Sequence, residues 1–198
     1  NRFSRKVAEH VGMEGVWDSG YDLDWGEDVR GRAVADGERL DLGSLDVRII
    51  ATPGHSSCSI SAYIPQWKAL FPSDAGGVPK GDTIMPTGNS NYSLYQRNLE
   101  KLGSLDLAYI CADHYGCVTG KEAQAYFSRS IKLAQEHREI IEETYKRTAD
   151  ISGTAREMVH RLFSEVPDYL ITPEIMEGVY TQIVRHIAQV MEERHPTT

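Results

Sequence analysis

From residue 120 to its end, the sequence repeats apolar residues every three or four positions. Only helices that each bury one face can satisfy that spacing. Ala123, Tyr126, Phe127, Ile131 and Ala134 make the first stripe, continued by Ile141 and Tyr145. Ala155, Met158, Val159, Leu162, Phe163 and Val166 make the second. Thr154, with Glu157 three residues on, is the pattern of a capping box and predicts where that helix starts. Ile175, Met176, Val179, Tyr180, Ile183, Val184 and Ile187 make the third. Thr172 and Pro173 open it as an N-cap followed by proline at the first helical position, and Pro196 lies beyond its end. Three such stripes must be covered by one another, by a sheet, or by a second chain.

Upstream the period changes. RAVADGERLDL sets Asp36-Gly37 between two short runs, a hairpin signal. LDVRIIA places Leu45, Val47 and Ile49 on one face, and SCSISAYI alternates around Ile60, Ala62 and Ile64. With KALF, these give about five short strands within residues 32–72. AGGVPKGDTIMPTGNSN reads as loop, residues 91–103 as a helix with Leu94, Asn98, Leu99 and Leu102 on one side, and LDLAYICA as a buried strand. Residues 1–12 have the spacing of a short helix; residues 18–31 form an acidic, glycine-broken surface loop flanked by the packing anchors Trp17 and Trp25. The class is α/β, or α+β by some counting. A length of 198 residues suits one domain, or one domain with an appendage.

Charge and cysteine content exclude several roles. Lys and Arg number 21 against 29 Asp and Glu, a net charge of −8, without a basic cluster. Such a chain is a poor ligand for nucleic acid or an anionic membrane. No apolar run is long enough to span a bilayer. Three cysteines, Cys58, Cys111 and Cys117, are too few for a disulfide scaffold. They fit a reducing, cytoplasmic setting.

Three polar clusters follow buried strands: Thr52-Pro53-Gly54-His55-Ser56, Ser73-Asp74-Ala75-Gly76-Gly77, and Asp113-His114-Tyr115-Gly116. Proline and glycine sharpen each turn, and ends of neighbouring strands converge. Two imidazoles and a carboxylate would then suit zinc, iron or manganese. Cys111, His114 and Cys117 also have a C-x2-H-x2-C spacing, which lacks an evident fourth zinc ligand. His137, His160 and His186 fall on the helices and read as surface or interface residues.

The order TPGHS, LFPSDAGG, ADHYG resembles the metallo-β-lactamase fold hydrolases, in particular their glyoxalase II-like branch. The flanks DGERLDLGSLDVRIIATPGHSSCSISAYI and YSLYQRNLEKLGSLDLAYICADHYG resemble that family's approaches to its third and fifth metal motifs. The gaps of 19 residues from His55 to Asp74 and 40 from Asp74 to His114 also fit. The resemblance covers residues 1–120 and implies part of a four-layer αββα sandwich; residues 121–198 would be a C-terminal helical extension. It implies a dinuclear centre of zinc, or iron or manganese, with His55 on the first metal, Asp74 bridging and His114 on the second. It implies hydrolysis of an ester, thioester, lactone or phosphodiester in a small-molecule substrate. Asp113, Tyr115, Tyr92 and Tyr95 become candidates for supporting the ligands or facing substrate. The family's first motif, His-x-His-x-Asp-His, does not occur in these residues. The expectation is therefore a fragment, a natural truncation, or a site completed by a partner chain, with a homodimer as one arrangement. The alternative is a non-catalytic relative that serves as a binding or oligomerisation module.

Overall fold

Short β-branched and aromatic runs separated by Gly and Pro build the sheet. The computed structural model describes residues 33–114, 116–169 and 171–194. Strands β1 (Arg39–Asp41), β2 (Asp46–Ala51), β3 (Ile60–Ile64) and β4 (Ala69–Phe71) follow one another as an antiparallel meander. Strands β5 (Val78–Lys80) and β6 (Thr83–Met85) form a separate hairpin. Helix α1 (Tyr92–Gly103) then carries the chain back to β7 (Tyr109–Cys111), which lies parallel to β4, as a crossover connection allows. Strand β8 (Cys117–Thr119) closes the order β1-β2-β3-β4-β7-β8.

One face of this sheet is covered. Tyr63, Leu70, Ile110 and Val118 are successive cross-strand neighbours and so share a face. Leu70 and Ile110 are fully buried, packed with Leu99 and Leu102 of α1 and with Tyr126 and Phe127. Each such aliphatic side chain contributes about 1.5–3 kcal/mol relative to exposure. The opposite face leaves Ile60, Trp67, Phe71 and Tyr109 between 42% and 56% exposed.

Helices α2 (Gly120–Thr148), α3 (Ile151–Glu165) and α4 (Pro173–Arg194) take up the three predicted stripes. Residue 120, where the two regions were expected to meet, is the first residue of α2. The first half of α2 packs on the sheet's core; its second half, with Ile141, joins α3 and α4 around Met158, Leu162, Ile183, Val184 and Ile187.

Several expectations need correction. Asp36-Gly37 is a turn, but no strand precedes it among the described residues. The Asp36 carboxylate itself accepts from Ala51 N–H (2.7 Å), doing what a strand's carbonyl would do. The hairpin closes instead at Leu42–Leu45, where Gly43 supplies φ +83°. In β3 the row facing the helices is Ser61 and Tyr63, while Ile60 is exposed. Ser61 Oγ bonds Thr52 Oγ1 and Pro72 O, and Tyr63 Oη donates to Asp106 O, so burial leaves no orphan polar atom there. The β5–β6 hairpin replaces an expected loop, turning on Gly81-Asp82 with Gly81 at φ +56°. Helix α3 starts before Thr154, because Asp150 accepts from Ser152 N and Gly153 N as the N-cap. His137 is half-buried at an interface between helices: Tyr92 Oη donates to Ala134 O and sits 2.9 Å from His137 Nδ1, and His137 Nε2 lies 3.2 Å from Tyr180 Oη. The expected helix at 1–12 and loop at 18–31 lie outside the described residues.

Candidate metal centre

The chain leaving β2 is clamped to the start of α1. Pro53 O accepts from Asn98 Nδ2 (2.6 Å), and Gly54 O accepts from Ser90 N (2.9 Å), Asn91 N (3.0 Å) and Ser90 Oγ (2.9 Å). Asn91 in turn caps α1 by accepting from Leu94 N (2.8 Å). Gly54 sits at φ +147°, and a Cβ there would lie 2.6 Å from Tyr95 N. Only glycine allows this approach. The next residue, His55, is thereby aimed across the strand ends.

Asp74 follows β4 in a single 3-10 turn, Ser73–Gly76. Ser73 holds φ +52°, a left-handed conformation that non-glycine residues seldom adopt and that concentrates at functional sites. Asp74 O accepts from Gly77 N (3.1 Å) and from Thr87 Oγ1, which ties the turn to the segment before α1. His114 stands in the β7–β8 connection.

These three turns meet. His55 Nε2 lies 3.3 Å from Asp74 Oδ2, and His114 Nε2 lies 3.5 Å from Asp74 Oδ1. The carboxylate thus offers one oxygen to each imidazole. His55 Nδ1 is 3.1 Å from Thr87 O and 3.3 Å from Asn89 Nδ2. Thr87 O can only accept and Asn89 Nδ2 can only donate, so the two favour opposite tautomers; the shorter contact, to Thr87 O, places a proton on Nδ1 and leaves the Nε2 lone pair facing the carboxylate in the neutral ring. A lone pair and an anionic oxygen at 3.3 Å repel unless a proton or cation stands between them. All three side chains are partly open, 30% for His55, 23% for Asp74 and 40% for His114, so a ligand can reach them. Among the described residues, no group of three or more His, Cys, Asp or Glu side chains surrounds a single point.

The other candidates are placed differently. Asp113 is exposed beside His114. Tyr95 is fully buried; its phenol lies under Gly77, with burial holding its ionisation well above the ordinary range and contact with Thr87 pulling the other way. Tyr92 is fully buried, with its hydroxyl on Ala134 O and beside His137 Nδ1. Tyr115 lies outside the described residues. The Cys111 and Cys117 thiols approach each other across β7–β8, while the His114 imidazole faces Asp74. Thr87 and Asn89, which touch His55, were not foreseen. Their only signal is their place in a polar run just before α1.

The architecture is the metallo-β-lactamase fold. The chain aligns over 97% of its length with a metallo-β-lactamase family protein from Thermus thermophilus, at a TM-score of 0.57, 18% identity and 64% coverage of that chain. It aligns equally far with a β-lactamase domain protein from Burkholderia ambifaria, at a TM-score of 0.62, 14% identity and 55% coverage of that chain. In sequence it is 32% identical over 111 residues to hydroxyacylglutathione hydrolase of Brucella anthropi, over 52% of this chain and 37% of that one. The same enzyme of Brucella ovis is 32% identical over 91 residues, 42% of this chain and 32% of that one. No protein-family model matches. The chain thus has the fold of the metallo-β-lactamase structures, and about half of it is similar in sequence to hydroxyacylglutathione hydrolases. It spans about a third of the length of these curated relatives.

Proposed function

We propose that this chain contributes to the centre of a metal-dependent hydrolase, with His55, Asp74 and His114 as ligands. One observation carries the reading. Two ligands about 2.1 Å from one ion at a tetrahedral angle lie about 3.4 Å apart. The His55–Asp74 and His114–Asp74 separations are 3.3 and 3.5 Å, on different oxygens of one carboxylate. Asp74 is therefore suited to bridge two ions, with one histidine on each. The nitrogen and oxygen donors serve zinc, iron and manganese alike. When bound, such ions lower the pKa of water to about 7 and polarise the oxygen of the group under attack.

The protein's own contribution is orientation and charge. The Nδ1–H of His55 points to Thr87 O, which keeps Nε2 as the donor atom. The Asp74 carboxylate supplies the negative charge that holds cations. The strained Ser73 backbone and the Thr87 bond hold that carboxylate between the rings. Esters, thioesters, lactones and phosphodiesters all fit this chemistry. The relatives' name, hydroxyacylglutathione hydrolase, favours a thioester. Further ligands must come from outside the three residues, because no larger cluster forms among the described ones. That same fact supports the second reading, a non-catalytic relative acting as a binding or oligomerisation module.

The test is metal per chain by elemental mass spectrometry, with an intact mass and thioester hydrolysis on the same sample. The expected result is about one or two ions per chain, falling to near zero in Asp74→Ala together with any turnover. Metal near zero in both proteins, with both folded by circular dichroism, would overturn the reading and leave the module.

A further inference from the structure

We infer that Cys111 and Cys117 form a reversible dithiol–disulfide site that fastens the strand ends on either side of the His114 turn. The two residues are direct partners in the β7–β8 register. Direct partners in an antiparallel pair have Cα atoms about 4.5–5.5 Å apart, inside the range a disulfide accepts. Their sulfurs already lie 3.5 Å apart. Closing to a bond of about 2.0 Å needs about 1.5 Å of side-chain movement, with no change of register.

Access is unequal, which sets the order of events. Cys117 is exposed, while Cys111 is half-buried on the sheet face where Trp67, Phe71 and Tyr109 line an open groove. Burial and the neighbouring thiol push Cys111 up to about 11. Cys117 therefore reacts first with a low-molecular-weight disulfide, the oxidant of this step. Its thiolate attacks one sulfur, a mixed disulfide forms, and the first small thiolate leaves. Cys111 then gives up its proton and attacks the Cys117 sulfur, expelling the second small thiolate. Two protein thiols are oxidised by two electrons, one small disulfide is reduced to two thiols, and the protons end on those thiols.

The bond would close a loop over residues 111–117, with His114 at its middle. What that does to a metal rests on the reading above; formation of the bond does not. Cys58, exposed and near Ser56 Oγ rather than another sulfur among the described residues, is the internal control.

The experiment incubates the chain with glutathione disulfide and reduced glutathione at graded ratios. Free thiols are then blocked with N-ethylmaleimide, and intact mass and linked peptides are measured. The expected product carries one blocked thiol, on Cys58, and weighs about 2 Da less than expected for two further free thiols. Its only internal link joins Cys111 to Cys117, it is undone by dithiothreitol, and it forms equally in Cys58→Ser. Cys117→Ser should abolish it. Persistent glutathione adducts without the link, links to Cys58 in comparable yield, or three blocked thiols at every ratio would each overturn the inference. None of these outcomes depends on metal, so a failure here is distinct from a failure of the hydrolase reading.

Discussion

Gly54 shows how one residue sets the geometry of a site it does not belong to. Its carbonyl takes three donors from Ser90 and Asn91, and its missing side chain lets the loop lie on Tyr95. Gly54→Ala would put a methyl 2.6 Å from Tyr95 N and 2.7 Å from Tyr95 Cα, both backbone atoms that cannot swing away. We expect it to lower stability by about 2 kcal/mol or more, read as a lower urea midpoint at unchanged slope. An unchanged midpoint would mean the loop is not clamped as described. The polar turns at His55, Asp74 and His114 were legible because Pro, Gly and a metal-type donor stood together after strand-like runs. Thr87 and Asn89 were not, because their contacts to His55 span 32 and 34 residues and local spacing carries no record of them.

At the scale of elements, the helices were the most legible part and their boundaries the least. The stripes in α2, α3 and α4 follow from periodicity alone. The start of α3 did not, because two cap patterns compete within five residues. Asp150 wins, since its two carboxylate oxygens reach Ser152 N and Gly153 N, while Thr154 is buried with its hydroxyl on Thr148 Oγ1 (2.7 Å). Asp150→Ala should therefore cost about 1 kcal/mol. Glu157→Ala should cost less, since Glu157 pairs with Arg147 on the exposed surface. Thermal or urea unfolding of the two variants checks this ordering. The strands were harder to place, because most have only three residues and their pairing is decided by distant neighbours.

Across the whole molecule, His137 links three helices: α2 carries it, Tyr92 on α1 faces one ring nitrogen and Tyr180 on α4 the other. Burial pushes its pKa down to about 4, and the Arg161 charge adds to the effect. The unfolded chain takes up this proton near pH 6.5, whereas the folded chain resists it until about pH 4. Its contribution is therefore complete above pH 6.5 and is lost as pH falls toward 4. The loss amounts to at most about 3 kcal/mol. In His137→Gln the stability difference from the native chain should shrink over that window; parallel curves from pH 4 to 7 would refute the linkage. By itself the sequence determined the helices, the turns and the donor types, because periodicity, capping and turn chemistry act over a few residues. Only the tertiary structure decided which sheet face the helices cover, how His137 is enclosed, that Cys111 opposes Cys117, and that one carboxylate stands between two imidazoles. Those outcomes depend on pairing between segments tens of residues apart, where only the packed chain sets the distances.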